Sequence, residues 1–309
     1  MPTSPSTDTP PTPTALPATA GAAHGAVDTH FHVVAPTTAF PMAAERSYTP
    51  PPASLAHWHA TWAPLGVTHG VVVQPSIYGT DNRVLLHALT QAPGPRVNLV
   101  GIAAVSADVT DAELDHLAAS GMRGVRMAHF EAGDPRARGG FVPFSAFDAL
   151  EARLQAHGLH LNLFTDSRLL PAVADRLARA TVPVVIDHMG RTPVQVGLAH
   201  AGFRALCDLL HSGNVWVKLS GLANVSTDTA DFADVQPLHE ALVATRPDRL
   251  LWGSDWPHTN PHAAPPSATV LMDCFARWTP AYLHADILWR NPQALYGFDG
   301  RAASNGPRD

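Results

Sequence analysis

The segment Val27-Asp-Thr-His-Phe-His32 sets two imidazoles two residues apart at the end of an apolar run. On a strand, side chains at i and i+2 share a face, so His30 and His32 point one way and Phe31 the other. Paired imidazoles at a strand end suit a shared cation or a shared substrate oxygen. The spacing alone carries little weight in a chain with 18 histidines. His57 and His59 repeat it in a stretch that reads as helix or loop, where they face different ways. Two more polar groups close apolar runs: His188 in Val184-Val-Ile-Asp-His-Met-Gly190, and Asp255 in Leu250-Leu-Trp-Gly-Ser-Asp-Trp-Pro257. A carboxylate directly after an apolar run and a Gly-Ser turn is poorly explained by packing. Any one of these residues is as readily a hydrogen-bonded strand-end group as a functional one. Four of them at the ends of three runs make a candidate site.

Holding four such groups together requires strands whose ends share a rim. Eight β-rich runs are present, at 27–34, 68–74, 97–105, 123–128, 159–164, 182–188, 215–219 and 249–254. Several are continuous apolar stretches, such as Gly70-Val-Val-Val73, the pattern of parallel strands covered on both faces. Helical spacing fills the gaps. Leu114, Leu117 and Ala118 align within 111–120 behind a Thr110/Glu113 capping box. Phe147, Leu150 and Leu154 align within 144–157 ahead of Gly158, and Phe203, Leu206 and Leu210 form a third stripe ended by Gly213. These stripes read as core. Eight alternations over about 270 residues predict an α/β fold, a single-domain (β/α)8 TIM barrel, which carries its chemistry at the C-terminal ends of its strands. The open doubly wound alternative lacks its Gly-rich phosphate loop.

The chain has 309 residues, with 46% hydrophobic and 15% charged, as suits an enzyme with a substantial core. Residues 1–24 are dominated by Pro, Thr, Ser and Ala and read as a disordered tail. The barrel domain spans 25–299, and 300–309 form a C-terminal tail. The start has neither the charge nor the apolar stretch of a signal peptide, and no run approaches the roughly 18 apolar residues of a membrane helix. The expected location is therefore the cytoplasm, without membrane contact. A net charge of −6 with no basic stretch argues against a nucleic-acid partner. Cys207 and Cys274 are the only cysteines, too few for a disulfide framework. Lys218 is the only lysine.

Together, VDTHFH, VIDHMGR, LWGSDWPH and the late RNPQALYGF resemble the amidohydrolase superfamily, in its amidohydrolase-related branch. The stretches Val72-Val-Gln-Pro-Ser-Ile-Tyr-Gly-Thr-Asp-Asn82, Gly121-Met-Arg-Gly-Val-Arg126 and Val217-Lys-Leu-Ser-Gly221 are similar to its 2-pyrone-4,6-dicarboxylate lactonase group. The resemblance covers roughly residues 25–298. It implies a TIM barrel that hydrolyses a lactone or related carboxylic ester. Superfamily members with two metals bridge them with a carboxylated lysine on strand four, whereas Lys218 falls on strand seven. Members with one metal generally add a histidine near the end of strand five, which here reads His160-Leu-Asn-Leu-Phe-Thr-Asp166 with its histidine at the start. His30, His32 and Asp255, with or without His188, remain as ligands for an ion such as zinc. The lactonase group works without a metal, so the expectation is no required cofactor, with one divalent metal as the alternative.

Lactone hydrolysis needs an activated water, a polarised carbonyl and a fixed pose. Asp255 is the expected general base, with His30, His32 and His188 donating to the carbonyl oxygen as it gains charge. Arg126 near the end of strand four could clamp a substrate carboxylate, or form a structural ion pair. Ser76, Tyr78 and Asn82 match the lactonase pattern after strand two and are expected substrate contacts, although Asn82 could cap the next helix. Arg191 follows His188 closely enough to reach substrate or a neighbouring loop. The chain departs from the dicarboxylate lactonase in lacking a second arginine after Arg126, where it reads Met127-Ala-His-Phe-Glu-Ala132. It also lacks a Tyr-Arg pair after Lys-Leu-Ser, where it reads Leu222-Ala-Asn224. A mono-anionic or neutral lactone, such as that of a sugar acid, is the better expected substrate; Arg136 and Arg138 could compensate from a loop. A metal-dependent decarboxylase and a non-catalytic acid-binding barrel are the rival readings.

Overall fold

Runs of Val, Ile and Leu that bury both faces form parallel strands, and eight of them are present in the computed structural model: β1 Ala26–Phe31, β2 Val67–Val73, β3 Asn98–Ala103, β4 Met122–His129, β5 His160–Thr165, β6 Val184–Ile186, β7 Val215–Leu219 and β8 Leu250–Trp252. The structure describes residues 25–298 apart from 92, 95–96, 135–141, 213, 229 and 260–264. Both tails, Arg136, Arg138 and Gly213 lie outside the described residues. The strands pair in chain order, every pair parallel, and a two-residue strand at Val142–Pro143 adds to β4 alone. The ring closes through a parallel bridge between Phe31 and Trp256. His32 N–H donates to the Trp256 carbonyl at 2.8 Å, and Asp255 N–H donates to the His30 carbonyl at 2.8 Å. The protein is a (β/α)8 barrel.

Two apolar layers follow from strand alternation. Side chains on one face, including Val71, Val73, Ile102, Val185, Trp216 and Leu251, fill the barrel interior, plugged by Trp289, Tyr296 and Phe298. Those on the other face, including Phe31, Val72, Val184, Ile186 and Val217, pack against the surrounding helices. The late Arg290-Asn-Pro-Gln-Ala-Leu-Tyr-Gly-Phe298 stretch is therefore the barrel's floor. Asn291 secures it by donating to the carbonyls of Pro247 and Leu250, each at 2.8 Å.

The helices are α1 Leu55–Trp62, α2 Arg83–Thr90, α3 Asp111–Ala119, α4 Phe147–Ala156, α5 Leu170–Ala178, α6 Ala201–His211, α7 Leu222–Val225, α8 Gln236–Thr245, α9 Ala268–Trp278 and α10 Asn291–Tyr296. The Thr110/Glu113 capping box opens α3, and Gly158 follows α4 with φ 65°. His57 and His59 both fall on α1.

Strands β1, β3, β6 and β8 end two or three residues earlier than the apolar pattern suggests, and at β1, β6 and β8 the shortening serves the rim. Strand β1 stops at Phe31 because its next backbone partner is Trp256 rather than β2. Strand β6 stops at Ile186, because His188, Met189, Gly190 and Arg191 all take positive φ in a tight turn. Strand β8 stops at Trp252, and Asp255 has φ 62°. His188 and Asp255 thus sit in turns just above the strands rather than on them.

Candidate active site

A bulge aims the first histidine. Between Asp28 and Phe31 on β1, three residue steps oppose the two from Gly70 to Val72 on β2. An extra residue in a strand re-aims the side chains after it. Val27 lies in the interior and strict alternation would put Phe31 there too, yet Phe31 stacks outward on Trp58 with ring centroids 4.2 Å apart. His30 consequently turns into the barrel. Asp28 holds the bulge by accepting hydrogen bonds from His30 N, Ser254 N, Ser254 Oγ and Trp58 Nε1.

The structure brings all four expected residues together. Asp255 Oδ1 lies 3.8 Å from His30 Nε2, 3.7 Å from His32 Nε2 and 3.7 Å from His188 Nε2. These separations exceed hydrogen-bond length, so three Nε2 atoms converge on one carboxylate oxygen without bonding to it. Its other oxygen accepts a 2.7 Å hydrogen bond from Asn224 Nδ2, which fixes the carboxylate's orientation. Burial pushes the Asp255 carboxyl up to about 7, with Asp187 reinforcing it and Arg126, Arg191 and Asn224 opposing it. A carboxylate in that range both takes and returns protons near neutrality.

Each imidazole is oriented through Nδ1. His32 Nδ1 lies 2.8 Å from the Val73 carbonyl oxygen, an acceptor only, so Nδ1 carries the proton. Burial lowers the His32 pKa to about 3. A neutral ring protonated at Nδ1 presents a lone pair at Nε2. In this tautomer His32 offers an acceptor at Nε2, where the sequence reading expected a donor to a carbonyl oxygen. His188 Nδ1 lies 2.9 Å from Ser220 Oγ. Burial also drives the His30 and His188 pKa values well below the usual histidine range.

Beneath the histidines lies a buried charged layer, of which the sequence reading had named only Arg126 as a site residue. Asp187 Oδ1 is 3.1 Å from His30 Nδ1 and 3.2 Å from Lys218 Nζ. Its Oδ2 takes Asn162 Nδ2 at 2.7 Å and Arg126 Nε at 3.1 Å. Burial raises the Asp187 pKa, but the Lys218 and Arg126 cations beside it outweigh that and hold the carboxyl well below its usual range. Parity along the strands was the available signal: Asp187 continues the interior face of Val185, and Lys218 that of Trp216. Close backbone approach completes the rim. A Cβ on Gly221, at φ 68°, would sit 2.6 Å from His188 Nδ1, and one on Gly253 would sit 2.8 Å from His30 Cβ.

With this rim in place, the amidohydrolase family profile matches residues 27–298. The chain belongs to the amidohydrolase family. Among relatives, it is 34% identical to a 4-sulfomuconolactone hydrolase of Rhizobium radiobacter, covering 88% of this chain and 90% of that one. It is also 34% identical to a 2-pyrone-4,6-dicarboxylate hydrolase of Comamonas testosteroni, with 88% and 90% covered. A solved structure from Acinetobacter baumannii, assigned as a 2-pyrone-4,6-dicarboxylic acid hydrolase with citric acid bound, superposes with a TM-score of 0.75 at 26% identity. That match covers 89% of this chain and all of the other.

Within this family barrel, the expected substrate contacts separate by what already holds them. Arg126 pairs with Asp187 and lies over the Phe164 ring at 4.6 Å; Arg191 lies over the same ring at 5.5 Å. Both cations act electrostatically on Asp255. Ser76 is buried in the turn after β2. Tyr78 Oη accepts a 3.0 Å hydrogen bond from Ala35 N, tying two rim loops together. Asn82 precedes α2 without a side-chain cap and instead bonds both ways with Ala104, donating to its carbonyl at 2.7 Å and accepting from its N–H at 3.0 Å. His160 lies at the floor, 5.5 Å from the Tyr296 ring.

His30, His32 and Asp255 bring one ligand atom each within 4.8 Å of one another, as do His30, Asp187 and His188. Imidazole nitrogen and carboxylate oxygen are the usual donors for zinc, and the His30, His32 and Asp255 set fits such an ion.

Proposed function

We propose that this protein is a hydrolase that opens a lactone of a small carboxylic or sugar acid. The observation that carries the reading is the buried Asp255 carboxylate, poised near neutrality and facing three imidazoles, in a chain whose relatives are named as lactone hydrolases. Asp255 Oδ1 takes a proton from water as the water oxygen attacks the lactone carbonyl. The His32 Nε2 lone pair accepts the water's second hydrogen bond and orients it. Negative charge grows on the carbonyl oxygen, where His30 and His188 stabilise it by hydrogen bonding. Collapse of the tetrahedral intermediate breaks the ring C–O bond, and Asp255 returns the proton to the leaving oxygen.

Arg126 and Arg191, both over Phe164, supply the positive field for an anionic group on the substrate. The citric acid in the Acinetobacter relative supports a carboxylate-binding rim. A divalent ion would be held by His30, His32 and Asp255 and would supply Lewis-acid polarisation of the carbonyl. Our reading assigns that polarisation to the chain's own residues and requires no cofactor. It is supported by Asn162, not a histidine, reaching the centre from β5, and by the Lys218 amine directly behind His30. The lack of a histidine near the C-terminal end of β5, whose only histidine is His160 at its start, also weighs against the decarboxylase reading. No described helix is long and apolar enough to cross a membrane. A cytoplasmic location and the absence of a nucleic-acid partner complete the proposal.

The test is a panel of sugar-acid and carboxylated lactones followed by indicator detection of acid release, with and without exhaustive chelation. We expect turnover that survives chelation. Loss of activity restored by zinc would transfer carbonyl polarisation to a metal, and a panel with no opened lactone would overturn the reaction.

A further inference from the structure

The single lysine of the chain lies inside the barrel with no exposure to solvent. Its Nζ has three neighbours within hydrogen-bond distance: Asn162 Oδ1 at 3.1 Å, Asp187 Oδ1 at 3.2 Å and His30 Nδ1 at 3.2 Å. An ammonium has three N–H donors and no acceptor. A buried donor left without an acceptor is destabilising, and more so when charged. The two oxygens take two of the protons, and the third can go only to His30 Nδ1. That nitrogen must then be unprotonated. Asp187 does not need a proton from His30, because Lys218, Asn162 and Arg126 already donate to it.

We infer that Lys218 is a positioning residue that locks His30 with its proton on Nε2, making His30 the hydrogen-bond donor to the substrate carbonyl. His30 Nε2 is buried without a partner and faces Asp255 Oδ1 at 3.8 Å. An unpaired donor at that point is what a developing oxyanion requires. The two histidines of the His-x-His pair then hold opposite tautomers. His32, held by the Val73 carbonyl, offers a lone pair to the water; His30, held by Lys218, offers a proton to the carbonyl oxygen. Two identical side chains two residues apart are thereby given different jobs by the groups behind them.

This assignment rests on the lactone-opening reading for its purpose but not for its test. In the 15N-histidine-labelled wild-type protein, long-range 1H–15N correlation distinguishes a protonated from an unprotonated ring nitrogen, and loss of one pattern in His30→Gln assigns His30. We expect His30 protonated at Nε2 and His32 protonated at Nδ1; a proton on His30 Nδ1 overturns the lysine's role. In Lys218→Met, the His30 tautomer should switch, and kcat should fall about 10- to 100-fold with KM nearly unchanged. An unswitched tautomer, or an unchanged kcat, overturns it. If Lys218→Met fails to fold, the wild-type spectrum still decides. An inactive lactone panel alongside a His30 Nε2–H would remove the reaction and leave the lock in place.

Discussion

Asn224 donates to Asp255 Oδ2 at 2.7 Å and so leaves Oδ1 alone to face the three imidazoles. The carboxylate is thus divided into a structural oxygen and a chemical one. Asn224→Ala frees the carboxylate to rotate and withdraws a hydrogen bond that favours its charged form. Hydrogen bonds to charged groups are worth about 1.5–3 kcal/mol, so kcat/KM should fall about 10- to 100-fold, with the acidic limb of the pH–rate profile moved upward. A profile that keeps its midpoint would show that Asn224 does not act through Asp255.

Asp255 itself should set the pH dependence. Only the deprotonated carboxylate accepts a proton, and its pKa is raised to about 7. kcat/KM should therefore rise with pH through about 7 and level off above it. Asp255→Asn should lower kcat about 10²- to 10⁴-fold while substrate binding is kept; turnover near the wild-type value would remove the residue from the mechanism.

Stability should fall on acidification, beginning earlier than carboxylate titration would cause. Burial lowers the pKa values of His30, His32, His160, His188 and His239. Their contribution is complete above the unfolded-state value of about 6.5 and is lost as pH drops, because the unfolded chain then binds protons that the folded one refuses. Each such histidine removes about 1.4 kcal/mol of stability per pH unit once below 6.5. Asp255 works the other way, holding its proton in the folded state up to about 7, and offsets part of this. Thermal melts should show a steep drop in Tm between about pH 6.5 and 5; a flat Tm over that range would contradict the buried neutral histidines.

Gly221 has to be glycine on two counts. Its φ of 68° costs an L-residue about 1–2 kcal/mol, and a Cβ would lie 2.6 Å from His188 Nδ1. Gly221→Ala should lower stability by about that amount and reduce kcat about 100-fold through a displaced imidazole. Activity that fell only in step with folded fraction would show that His188 tolerates the shift.

The eight strands, their parallel order and the four rim residues were legible in the chain because strand burial and strand ends leave direct marks: apolar runs of five or so residues, each closed by a polar group. His30, His32, His188 and Asp255 could be found that way. That His30 and His32 share the inward face, opposite Phe31, was legible too; what the chain could not reveal by itself was the backbone irregularity that delivers that face and the protonation form of the rings. The direction of His30 depends on a bulge between Asp28 and Phe31 that no periodicity records. The tautomer of His32 depends on a carbonyl 41 residues away, at Val73. Lys218, whose position in the sequence served only to discount a metal bridge, meets Asp187, Asn162 and His30 only when β1, β5, β6 and β7 close into one barrel. Side-chain identity is local, but donor and acceptor roles are set by the partner across the fold, and that is what the tertiary structure decided.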